Sequence, residues 1–76
     1  ESDLIIYPNP TSNIVTVSCP QEKQNILRVY DIYGIDITSK LEIIENGSTK
    51  TIDLSSLAAG VYWFKTKNQT KRVVKI

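Results

Sequence analysis

Leu41-Glu42-Ile43-Ile44-Glu45-Asn46-Gly47-Ser48-Thr49-Lys50-Thr51-Ile52-Asp53-Leu54 carries the clearest structural signal in the chain. Residues 41–44 and 51–54 are short aliphatic or β-branched runs, and Asn46-Gly47 suits the two left-handed positions of a type I′ hairpin turn. The stretch predicts two antiparallel strands, and the same signature recurs on both sides of it. Upstream, the run Leu4-Ile5-Ile6-Tyr7 is stopped by Pro8-Asn9-Pro10-Thr11-Ser12-Asn13. The two prolines remove two backbone donors and push Tyr7 and Asn9 toward extended conformations, so no ladder continues through them. Residues 14–18 and 26–30 are further strand candidates, separated by a polar loop over 20–25. Asp31-Ile32-Tyr33-Gly34-Ile35-Asp36 reads as a tight turn, with Asp31 accepting backbone N–H bonds and Gly34 at positive φ. An irregular return begins at Ile37.

Downstream, Ser55-Ser56-Leu57-Ala58-Ala59-Gly60 is too short for a stable helix and predicts one helical turn ended by Gly60. Residues 61–66 form a sixth strand, Asn68-Gln69-Thr70 turns, and residues 72–76 form a seventh. Gly34, Gly47 and Gly60 are all expected at positive φ. No helical periodicity is sustained anywhere. The fold class is therefore all-β, a single antiparallel sandwich of about seven short strands.

Strand alternation also assigns faces. Val15 and Val17 share one side of the second strand, and Leu27 and Val29 are the inward pair of the third. Along the sixth, Tyr62, Phe64 and Thr66 point to the core, whereas Val61, Trp63 and Lys65 point away. Trp63 is then half-exposed, either covering sheet or offering a stacking platform for a sugar.

The 76 residues make one domain with a thin core, 41% hydrophobic and 22% charged. No apolar run approaches the ~18 residues of a membrane span. No stretch reads as a signal peptide, so an export signal is expected on a longer parent chain. Histidine is absent, which removes imidazole-based nucleophilic catalysis. The single cysteine, Cys19, permits neither an internal disulfide nor a thiolate zinc site and reads as a small hydrophobe closing a strand. Asp31, Asp36, Glu45 and Asp53 fall at or beside turns, where carboxylates cap backbone; no facing pair suggests hydrolysis, and Asp31 with Asp36 is a loose match to a calcium loop. No catalytic residue, metal or cofactor is expected. Asn46-Gly47-Ser48 and Asn68-Gln69-Thr70 match the N-glycosylation pattern, each with sufficient reason to exist as a turn.

Net charge is +1, unevenly spread. Residues 65–76 hold Lys65, Lys67, Lys71, Arg72 and Lys75 and no acid, while residues 1–64 carry a net −4. Lysines on a terminal edge strand blunt edge-to-edge pairing, and the same cluster could steer an acidic partner. The cluster is too short, and the pI of about 8.1 too low, for a nucleic-acid binder.

Four blocks taken in order resemble a known family. They are Tyr7-Pro8-Asn9-Pro10-Thr11; Val29-Tyr30-Asp31-Ile32-Tyr33-Gly34; Ile52-Asp53-Leu54-Ser55-Ser56-Leu57-Ala58-Ala59-Gly60-Val61-Tyr62; and Lys71-Arg72-Val73-Val74-Lys75-Ile76. Together they closely resemble the C-terminal sorting domain (type A) of the type IX secretion system of Bacteroidetes, over essentially the whole chain. The chain departs from the pattern at Trp63, where the family more often has a smaller residue, and in lacking a glycine before the last basic strand. The resemblance implies an immunoglobulin-like sandwich spanning residues 1–76, with 1–3 ending a linker from an upstream cargo. It implies a secretion signal, not an enzyme. The implied partners are an outer-membrane translocon, a shuttle protein and a sortase-like protease, with passage through the periplasm and an end point at the cell surface or outside. The implied recognition residues are Lys71, Arg72, Val73, Val74, Lys75 and Ile76, and the motif residues are Pro8, Asn9, Pro10, Asp31, Gly34, Leu57, Gly60, Val61 and Tyr62. In this reading residues 71–76 form an edge strand with free backbone groups open to strand addition, Val74 and Ile76 setting its register by filling the core or partner pockets. The alternative is an appended carbohydrate-binding or adhesive module using Trp63.

Overall fold

The computed structural model of the chain describes residues 4–18, 27–47, 49–67 and 69–76. Cys19, the polar loop at 20–25, Ile26, Ser48 and Asn68, all given roles above, lie outside the described residues. Among the described residues, seven strands form where the β-branched runs stand: β1 (Ile5–Tyr7), β2 (Ile14–Ser18), β3 (Arg28–Tyr30), β4 (Glu42–Asn46), β5 (Thr49–Asp53), β6 (Gly60–Lys65) and β7 (Thr70–Lys75). Every pairing between these strands is antiparallel. One sheet runs β1-β2-β5-β4 and the other β3-β6-β7. With strands lettered A to G in chain order, these are the ABED and CFG sheets of a constant-type immunoglobulin domain.

The β4–β5 hairpin forms, but its turn sits one residue later than expected. Asn46 pairs with Thr49 as the closing pair, so Asn46 belongs to the strand and Gly47 takes the first loop position at φ 67°. Asn46 has no positive φ. Glycine takes a left-handed position at the least steric cost, which suits it to open the connection. The expected helical turn at 55–60 is also absent. A single Leu57 N–H to Leu54 O bond of 3.0 Å turns the chain there. Among the described residues, the one helical element is a 3₁₀ turn at Thr38–Lys40, inside the stretch expected to be irregular. Gly34 and Gly60 have the expected positive φ.

The core lies between the two inner faces. Val15, Val17 and Ile52 come from one sheet, and Val29, Tyr62, Phe64 and Val73 from the other. Leu4, Leu27, Ile37 and Leu54 close it from the connections. Register explains this membership: Val15 faces Ile52, Val29 faces Phe64, and Tyr62 faces Val73. Tyr62 buries its ring and donates its hydroxyl to Ala58 O at 2.7 Å. A buried phenol needs such a partner, and a tyrosine at the start of strand F bonding back a few residues is the tyrosine corner of this fold. No helix is long and apolar enough to cross a membrane among the described residues.

Phe64 is the largest fully buried side chain and pairs with Val29 at the centre of its sheet. Phe64→Ala is expected to cost about 3–5 kcal/mol, much of the stability of a domain this small. Urea denaturation measures it; a loss below about 1 kcal/mol would contradict the core described here.

Candidate recognition surface

β7 is the strand that the basic block occupies. Because Tyr62 pairs with Val73, the odd residues Lys71, Val73 and Lys75 share the inward face and Arg72 and Val74 the outer one. Val73, not Val74 or Ile76, therefore fills the core; Ile76 is 67% exposed. Lys71 and Lys75 flank Val73 on the core face, Lys71 reaching solvent and Lys75 half-buried. Inward-pointing lysines of this kind discourage sheet extension.

The free edge expected along β7 is not free. The Asn9 side-chain amide donates from Nδ2 to Arg72 O at 2.8 Å, and its Oδ1 accepts from Val74 N–H at 3.0 Å. Thr11 N–H donates to Val74 O at 2.9 Å, and Ile76 N–H donates to Thr11 O at 2.8 Å. Four backbone groups on the outer side of β7 are thus satisfied by the loop after β1, and Thr11 forms a parallel bridge to Lys75. The sequence accounts for the division of labour. Pro8 and Pro10 have no N–H, so pairing falls to Asn9, whose amide offers one donor group and one acceptor as a peptide unit does. Thr11 is itself buried, its hydroxyl donating to Ile14 O at 3.0 Å and accepting from Asn13 N–H at 3.2 Å.

The other motif residues build loops at the same end of the sandwich. Antiparallel pairing brings together the end of β3, the start of β6 and the end of β7, and the bridge from Thr11 to Lys75 brings the loop after β1 to the same end. Asp31 Oδ1 accepts from Tyr33 N–H at 2.9 Å and Ile35 N–H at 3.0 Å, while Gly34, at φ 81°, donates to Asp31 O. Leu57 packs partly buried against the core, and Gly60 and Val61 lead into Tyr62. Asp31, Gly34, Leu57, Gly60, Val61 and Tyr62 thus lie toward the pole where β7 ends, mostly as turn-builders, and Pro8, Asn9 and Pro10 run beside β7 toward it. Sequence reasoning missed what the turns present: Ile32, Tyr33 and Ile35 are exposed, Tyr33 by 84%. The available signal was three apolar residues inside a turn, where polar ones are usual.

Asp36 and Asp53 hold turn backbone in place. Asp36 Oδ1 accepts from the Thr38 hydroxyl at 2.6 Å and from Thr38 N–H at 2.9 Å, and Arg28 Nε donates to Oδ2 at 2.8 Å. These bonds, led by the Thr38 hydroxyl, hold the Asp36 carboxyl down at about 2. Asp53 lies below its ordinary value because Ser55 hydrogen-bonds its carboxylate. On the outer face of the second sheet, register sets Tyr30, Trp63 and Arg72 in one row across three strands, with Trp63 39% exposed.

A family model described as the secretion system C-terminal sorting domain matches residues 5–76. No curated protein and no solved structure matches the chain.

Asn9→Ala removes both side-chain bonds to β7. Net hydrogen-bond contributions of about 0.5–1.5 kcal/mol each put the expected loss at about 1–3 kcal/mol by chemical denaturation. An unchanged midpoint would show that the Asn9 amide does not hold the strand.

Proposed function

Because the chain belongs to the family of secretion-system C-terminal sorting domains, we propose that it is the address by which the type IX machinery moves an attached upstream cargo across the outer membrane. The match over residues 5–76 is the observation that carries this reading. The domain is recognised rather than acting, in keeping with a family of signals and not of catalysts. In this proposal residues 1–3 end the linker from the cargo, and the fusion passes through the periplasm before a sortase-like protease removes the domain at the surface. A translocon and a shuttle protein are the partners that would read it.

The recognition residues are Lys71, Arg72, Val73, Val74, Lys75 and Ile76, in roles the closed edge redistributes. Val73 anchors the strand in the core, and Val74 joins it to the loop at Asn9 and Thr11. That leaves the Lys71, Arg72 and Lys75 charges, together with exposed Ile76, for a partner to read. Charged groups at such a surface steer encounter and set specificity more than they add affinity.

The test is a fusion of the chain to a periplasmic fluorescent protein in a host that has the machinery. Fluorescence should reach the surface or the medium; retention in the periplasm would overturn the sorting reading. Reversing Lys71, Arg72 and Lys75 to glutamate should cut secretion at least tenfold, by roughly 1.4 kcal/mol or more of recognition energy, while the domain still melts cooperatively. Normal secretion by a folded charge-reversed variant would remove the electrostatic part of the proposal.

A further inference from the structure

Four strands end their sheets: β1 and β4 in one, β3 and β7 in the other. An edge strand exposes a row of N–H and C=O groups to any chain that can pair with them, and proteins cover or charge such edges. Three of the four are managed here. β3 is covered by the segment after the turn: Ile37 N–H donates to Val29 O at 2.8 Å, and Val29 N–H donates to Thr38 Oγ1 at 2.7 Å. β7 is closed by Asn9 and Thr11. β4 carries exposed Glu42 and Glu45.

β1 is short and stopped by Pro8, but it has none of these protections along its length. It reads Ile5-Ile6-Tyr7, without a charge, and Ile5 and Tyr7 are about half exposed. Leu4, the residue before it, donates its N–H to Gln69 Oε1 at 2.9 Å, toward the β7 side. Backbone groups alternate along a strand, so Ile6 presents its N–H and C=O on that same side. No hydrogen bond from another element reaches Ile6 there among the described residues. This side of β1 opens onto a depression of about 310 Å³ lined by Leu4, Ile5, Ile6, Asn9, Lys71 and Arg72. One wall is apolar and the other cationic.

We propose that this groove between β1 and β7 accepts an extended protein segment of mixed apolar and acidic residues, which pairs with the backbone of Ile6 and sets its carboxylates against Lys71 and Arg72. Strand addition draws affinity from main-chain bonds and specificity from the flanking side chains. The open edge supplies the first, and the apolar and basic walls supply the second. Only the source of the segment, a component of the secretion machinery, rests on the sorting reading.

The probe is a blocked Val-Glu-Val-Glu-Val peptide titrated into the isotope-labelled chain and followed by NMR. Binding should shift the Leu4, Ile6, Lys71 and Arg72 signals and slow exchange of the Ile6 amide at least tenfold. Val-Lys-Val-Lys-Val should bind at least tenfold more weakly, as should the acidic peptide with an N-methylated backbone. The double variant Lys71→Glu, Arg72→Glu should lose the acidic peptide while keeping the fold's own spectrum. No change at Ile6 up to millimolar peptide would overturn the proposal. So would equal binding of the N-methylated peptide, which would leave charge attraction without strand pairing. If the fluorescent fusion is secreted and the peptide does not bind, this groove alone is wrong; if the fusion stays in the periplasm, the sorting reading fails whatever the peptide does.

Discussion

One side-chain amide stands at the centre of the bonds that join the first and last segments of this domain. Asn9 places a donor and an acceptor against Arg72 O and Val74 N–H across 63 and 65 residues of sequence. Thr11 continues the pairing to Val74 and Ile76 with its own backbone. Without these bonds, β7 would be attached through β6 alone. It would then expose an unpaired edge beside Val73, whose burial completes the core. An unsatisfied edge costs stability and invites misassembly. The proline-flanked loop answers both problems, which gives the Pro8-Asn9-Pro10-Thr11 block a physical purpose independent of any partner.

That arrangement changes what a recognition element in β7 can be. A partner meeting this surface finds the outer backbone groups of Val74 already engaged and the charges of Lys71 and Arg72 projecting beside an apolar trough. The other motif loops converge on the end where β7 finishes, and between them Ile32, Tyr33 and Ile35 stand in solvent. Most motif residues therefore hold loops in place, and the side chains they display are the ones a partner could touch. A sequence motif and the surface it presents are different sets of residues here.

Much of the fold was legible because it depends on local signals. Alternation along residues 61–66 identified Tyr62 and Phe64 as core, and along 14–18 it set Val15 and Val17 on one face, the face that proves to be buried; a one-residue slip would expose every one of them. What failed was either a matter of one residue or a matter of long range. Asn46-Gly47 fits more than one turn register, and the pairing of Asn46 with Thr49 decided between them. The stretch at 55–60 has the composition of a helical turn, but the Tyr62 hydroxyl holds Ala58 O in the corner geometry instead. The free edge assigned to residues 71–76 was mistaken because the groups that close it come from the other end of the sequence. No local pattern announces that an asparagine between two prolines will pair with a strand more than sixty residues away.

The closed edge of β7 is tested most directly by native-state amide exchange at Val74 in the unmodified chain. Its N–H points away from β6 and has Asn9 Oδ1 as its partner. If the loop holds the strand, Val74 should exchange within about tenfold of Tyr62 and Phe64 in β6, because opening it then requires disrupting the domain. Exchange near the rate of an unstructured peptide, with β6 still protected, would mean that the edge is open and that the two ends of the chain are not joined as described.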